Sequence, residues 1–83
     1  MDKRGPAFTV LGVGITAEQR DAALAVMHQP FVAMQVEGAF MRAGVPRAEG
    51  IAMRAADRLI QSERKAGRIK FRAGQWWPTS ANV

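Results

Sequence analysis

The chain contains no cysteine and no tyrosine, has one histidine, and is only 7% aromatic. Without cysteine there is no disulfide, no thiolate metal ligand and no cysteine nucleophile, so packing alone must hold the fold. His28 has no second histidine or cysteine with which to share a metal. At the end of an expected helix it reads as a group near free carbonyls rather than as a base. Ser62 and Ser80 have no base near them in sequence and match no nucleophile pattern. The pair in Leu11-Gly12-Val13-Gly14 lacks the third glycine of a dinucleotide-binding loop. With no acid–base pair, metal cluster or phosphate loop legible in the sequence, neither enzymatic activity nor a cofactor is expected. Long apolar runs are missing as well. The longest is about ten residues, against about 20 for a membrane span, and the first residues lack the apolar run of a secretory signal, so a soluble, cytoplasmic protein is expected.

What is present is a folded composition with a basic excess. Eighty-three residues suit one small domain, and 48% hydrophobic content is enough to build a core. Twelve Lys and Arg stand against 7 Asp and Glu, a formal charge of +5, so the surface favours polyanionic partners. An Arg-rich surface kept for solubility is the plainer explanation of the same count.

Residues 1–15 read as an N-terminal tail or arm. Met1 to Pro6 are polar and broken by Gly and Pro, and Ala7 to Val13 suggest a short strand or an arm laid on the domain. A first helix is expected over about residues 17–28, because Thr16 and Gln19 have capping-box spacing and Pro30 stops it. Phe31 to Met34 suit a brief strand or an extended connector. A second helix follows over about Val36 to Ala43, with Val36, Ala39 and Phe40 on one side and Gly44 ending it. Pro46 suits the first position of a third helix running to about Ala66, closed by Gly67, with Gly50, which costs about 1 kcal/mol inside a helix, as a point where it can break into a loop near Glu49-Gly50. Arg68 to Arg72 then read as a strand, Ala73-Gly74 as a turn, and Gln75-Trp76-Trp77 as a return strand ended by Pro78. The domain is expected over residues 16–78, with 79–83 as a C-terminal tail. A lone hairpin is marginal in water, so this one must pack on the helices.

The third helix carries the functional signal. At about 100° per residue, Ala48, Ile51, Ala52, Ala55, Leu59 and Ala66 form one stripe and are the expected core. Arg47, Arg54, Arg58, Gln61 and Lys65 fall in a separate sector about 60° wide. Glu49 and Glu63 project elsewhere, and only Asp57 comes within reach of Arg54, so the charges are sorted rather than mixed. Arg54 and Arg58, four apart, repel mildly, by about 0.2–0.5 kcal/mol in an isolated helix, which suggests another reason for their presence. Such a face neutralises phosphates, and arginines can also bond guanine in a major groove. The competing reading is a solvated outer face.

The order of elements, the stretch Gln35 to Pro46, and Asp57-Arg58-Leu59-Ile60-Gln61 through Lys65-Ala66-Gly67-Arg68-Ile69 together resemble the winged helix-turn-helix superfamily over about residues 16–78. The resemblance implies an α+β winged helix: three helices plus a C-terminal two-stranded β-hairpin wing. It also implies that helix 3 enters a DNA major groove while the wing lies on the backbone or in the minor groove. By that analogy Arg47, Glu49, Gly50, Arg54 and Arg58 are the positions for groove contacts, and Lys70, Arg72 and Gln75 for wing contacts. The nucleic-acid set is therefore Arg47, Arg54, Arg58, Gln61, Lys65, Lys70, Arg72 and Gln75, with duplex DNA as the partner and a small regulator or accessory factor as the role. Winged helices also serve as protein-binding modules, so an acidic protein partner is the alternative.

Trp76 and Trp77 must point to opposite faces of a strand. A two-residue turn sets Trp76 opposite Phe71 and Trp77 outward beside Lys70, whereas a three-residue turn exchanges them. Met53 and Ile60 project away from the core stripe toward one flank, facing helix 1, the hairpin or a second subunit. A homodimer is compatible with that flank and with the way helix-turn-helix proteins read two half-sites.

Overall fold

The computed structural model describes residues 5–79. Residues 1–4 of the expected N-terminal tail or arm, and residues 80–83 of the expected C-terminal tail, lie outside the described residues. Along the chain come β1 (Phe8–Val10), β2 (Val13–Ile15), α1 (Ala17–Val26), α2 (Ala33–Arg42), α3 (Ile51–Lys65), β3 (Ile69–Arg72) and β4 (Gln75–Pro78). Three helices and two antiparallel hairpins, the second following α3 as a wing, make the α+β winged-helix arrangement.

α1 begins on a complete capping box. The Thr16 hydroxyl accepts from the Gln19 amide at 3.0 Å, and Gln19 Oε1 accepts from the Thr16 amide at 2.9 Å. Gln19 does a second job that a glutamate there could not: its Nε2 donates to the Ala43 carbonyl at 3.2 Å, satisfying an orphan acceptor at the end of α2. The same side chain starts one helix and ties down the end of the next. His28 sits exposed in the turn after α1.

α2 begins three residues earlier than its apolar periodicity suggested. Gln35 Oε1 accepts from the Val32 amide at 2.8 Å, so the Gln half of a capping box starts the helix at Ala33 even though valine offers no hydroxyl. The stretch expected as a connector is thus divided. Phe31 makes a β-bridge to Trp76, with amide-to-carbonyl bonds of 2.8 and 3.0 Å in both directions, while Ala33 and Met34 are already helical. That bridge makes Phe31 a third strand position beside β4 and fixes the wing to the helices.

The third helix does not start at Pro46. Ala48 to Gly50 form a short 3-10 turn, with Glu49 at φ 57° and Gly50 at φ 71°, and the α-helix begins only at Ile51. Gly50 reaches this left-handed backbone without a Cβ penalty, whereas Glu49 bears it. As a result Ala48 is exposed, and so is Ala66, just past the end of α3; neither joins the core as the straight projection required. Ala56 and Ile60 are buried instead. From Ile51 to Ile60 the buried sector of α3 spans about 180°, wider than a single stripe, because α3 packs on α2, β1 and β3 at once.

The core joins Ile15, Ala23, Phe31, Val36, Phe40, Ala52, Ala55 and Ile69 into one cluster drawn from every part of the fold. Val10 and Ile15 anchor the first hairpin in it, so where a short strand or an arm laid on the domain was expected there are two paired strands. Glu63 is the one buried charged residue among those described, at 9% exposure. It accepts a two-pronged bond from Arg68, 2.7 Å to Nε and 2.9 Å to Nη2, which pins the α3–β3 junction. The hydrogen bond and charge of Glu63 raise the Arg68 pKa above its ordinary value, holding the guanidinium charged.

Candidate nucleic-acid interface

On α3, Arg54, Arg58, Gln61 and Lys65 share one side, turned away from Ala52, Ala55, Ala56 and Leu59. Arg54, Arg58 and Lys65 are exposed, and Gln61 is half-buried. Arg47 is not on this helix, because the left-handed pair Glu49-Gly50 breaks the path between them. It is exposed in the link ahead of α3, and the straight-helix sector therefore loses one of its five members. Glu49 and Gly50 form the kink itself.

Arg58 has a structural commitment as well. Its Nη1 donates to the Thr9 carbonyl at 2.9 Å, and its guanidinium lies over the Phe8 ring at 5.2 Å. Phe8 in turn meets Phe40 edge-on at 6.4 Å. Arg58 is thus a clamp between α3 and β1, while its Nε and Nη2 are not engaged by that carbonyl. Arg54, by contrast, makes no ion pair among the described residues. The same holds for Lys65, Lys70 and Arg72.

Arg64 extends the basic face and was not singled out by the projection. Its Nε donates to Gln61 Oε1 at 2.9 Å, which orients both side chains across one turn of α3. The signal was available: Arg64 stands three residues after Gln61, a spacing that puts the two side by side.

The wing closes on a two-residue turn, Ala73-Gly74, with register Arg72↔Gln75, Phe71↔Trp76, Lys70↔Trp77 and Ile69↔Pro78. This is the first of the two registers considered. Alternation then puts Lys70, Arg72, Gln75 and Trp77 on one face and Ile69, Phe71, Trp76 and Pro78 on the other. The Arg72 guanidinium stacks over Trp77 at 5.1 Å, and the Trp77 indole donates to the Arg72 carbonyl at 2.9 Å. The indole is therefore a shelf that holds Arg72 out from the sheet. Lys70 and Arg72 are exposed and Gln75 is half-buried.

A groove of about 530 Å³ runs between the turn of the first hairpin and α3, lined by Leu11, Met53, Arg54, Asp57 and Arg58 among others. Leu11 is 60% exposed and Met53 45%. Met53 lies outside the core, whereas Ile60, expected on the same flank, is in it. Among the described residues, no helix is long and apolar enough to cross a membrane.

Against family models, curated proteins and solved structures, this chain has no significant match. What the site does must come from its own geometry.

Proposed function

We propose that this protein binds duplex DNA, docking the outer face of α3 and the wing on the double helix, and that it acts as a small transcriptional regulator or accessory factor. One observation carries the reading: Arg54, Arg58 and Lys65 stand exposed on one side of α3, and no acidic side chain among the described residues pairs with them. Lys70 and Arg72 supply a second exposed basic surface on the wing. Phosphates are the partner such cations fit, and arginines projecting from a helix can also read guanine edges. Arg47, ahead of the kink, and Gln75, beside Arg72, are suited to backbone contacts.

The test is a fluorescence titration with duplex DNA across a series of salt concentrations. Affinity should fall linearly on a log–log plot as counterions are displaced, and Arg54→Ala should lower the slope by about 1 if Arg54 meets a phosphate. Absence of binding at micromolar protein in low salt overturns the proposal. A second reading is favoured by the groove at Leu11 and Met53, where apolar surface adjoins Arg54 and Arg58. That combination suits an acidic protein segment, and retention of a co-purifying protein by the wild type but not by Arg54→Ala, with no DNA binding by either, would favour it.

A further inference from the structure

Phe71 is 59% exposed at the far end of the wing, the most exposed aromatic side chain among the described residues. Its position is not that of a side chain left loose in solvent. The ring packs edge-on against Trp76 at 5.2 Å and 66°, and Trp76 is bridged to the buried Phe31. Phe31, Trp76 and Phe71 therefore form a cross-strand row that begins in the core and ends in water. The two-residue turn allows little slack between the strands, so the outer ring is held where the row places it.

Burial does not account for a phenylalanine at the end of this row. Its neighbours in sequence, Lys70 and Arg72, are exposed cations on the opposite face of the same strand, so the tip offers charge on one side and a π surface on the other. That pairing fits a nucleic acid strand, whose phosphates meet the cations while a base meets the ring. In an intact duplex the base faces are already stacked, so the ring gains a partner only where a base is unpaired or displaced.

We propose that Phe71 is a stacking platform for an unpaired nucleobase, so that the protein prefers DNA containing a bulged or unpaired nucleotide over the same DNA fully paired. This rests on the DNA-binding reading and adds a substrate class to it. Trp76 lies against the same ring and supplies an internal reporter, since a base stacked on Phe71 alters the environment of the indole.

The experiment compares a short duplex with the same duplex carrying one bulged nucleotide, at low salt, by anisotropy of labelled DNA and by tryptophan emission. Wild type should bind the bulged DNA more tightly and change its emission with it. Phe71→Ala should lose roughly five- to hundredfold of that preference, the range expected for one base–aromatic stack, while Phe71→Trp should keep it. Arg54→Ala should weaken both DNAs alike. Should Phe71→Ala lose its helical circular dichroism, Phe71→Leu takes its place, being apolar without a π face. Equal affinity of the wild type for the two DNAs overturns the inference while leaving duplex binding standing, as does an undiminished preference in the folded Ala or Leu variant. Failure of both DNAs to bind at low salt removes the DNA-binding reading and this inference together.

Discussion

Two hairpins in this protein close on the same kind of turn, Leu11-Gly12 in the first and Ala73-Gly74 in the wing, with both central residues at positive φ. The turn pattern suits the twist of the flanking strands, and in each case a non-glycine residue takes a position that favours Asn, Asp or Gly. Beyond the turn the two differ. The first hairpin, Phe8 to Ile15, contains no charged residue, places Val10 and Ile15 in the core, and is clamped by Arg58. The wing carries Lys70 and Arg72, buries only Ile69 fully, and is joined to the helices through Phe31. Identical local geometry thus serves as a wall of the core in one place and as a projecting surface in the other. What separates them is which side chains alternate on the strands, not the turn.

The sharpest way to break this contrast is to remove an anchor from each hairpin. Ile15→Ala should cost about 2–5 kcal/mol and Phe31→Ala about 3–5 kcal/mol, as both side chains are fully buried. In a domain of this size either loss consumes much of the total stability, and urea unfolding followed by circular dichroism measures it. At the tip of the wing, Phe71→Ala should shift stability by only about 0.5 kcal/mol, the range of surface substitutions. A cost as large as that of Phe31→Ala would mean that the outer ring is structural.

An effect smaller than that of either buried anchor separates two arginines on one helix face. Arg58→Ala removes the bond to the Thr9 carbonyl and the contact with Phe8, and should cost about 0.5–1 kcal/mol of stability. Arg54→Ala should leave the unfolding midpoint nearly unchanged, because no described acidic partner holds that side chain. Equal midpoints for the two variants would remove the clamp from the account. A last contrast, a gain rather than a loss, concerns the turns themselves. Ala73→Gly relieves a left-handed alanine and should raise stability by about 1 kcal/mol or less, after the entropy cost of glycine is counted. Leu11→Gly relieves the same kind of strain but gives up the contacts of Leu11 with the groove, so its gain should be smaller than that of Ala73→Gly. The reverse order, read from thermal midpoints, would show that Leu11 contributes nothing to packing.

Much of the architecture was legible because local chemistry decided it. The Thr16/Gln19 box, Pro30, Gly44 and Gly67 bound helices through their own conformational limits, and the Ala73-Gly74 turn set the register that puts Trp76 opposite Phe71. The site was legible in part. Arg54, Arg58, Gln61 and Lys65 share a side because they lie within one uninterrupted helix. Arg47 was assigned to the same face on the assumption that the helix is straight, and the left-handed backbone at Glu49-Gly50 removes it. Ala48 left the expected core for the same reason.

The sequence by itself determined the order of the three helices and the C-terminal hairpin and the grouping of Arg54, Arg58, Gln61 and Lys65 on α3, since both follow from periodicity and turn chemistry over short spans. Only the tertiary structure decided that Val10 and Ile15 belong to the core, that Ile60 faces inward, and that Arg58 divides its guanidinium between Thr9 and solvent. Each of these depends on partners far away in the chain, 49 residues for Arg58 and Thr9, and no local pattern encodes such a contact. The same holds for the row from Phe31 through Trp76 to Phe71, which exists only once the bridge between the α1–α2 connector and β4 has formed.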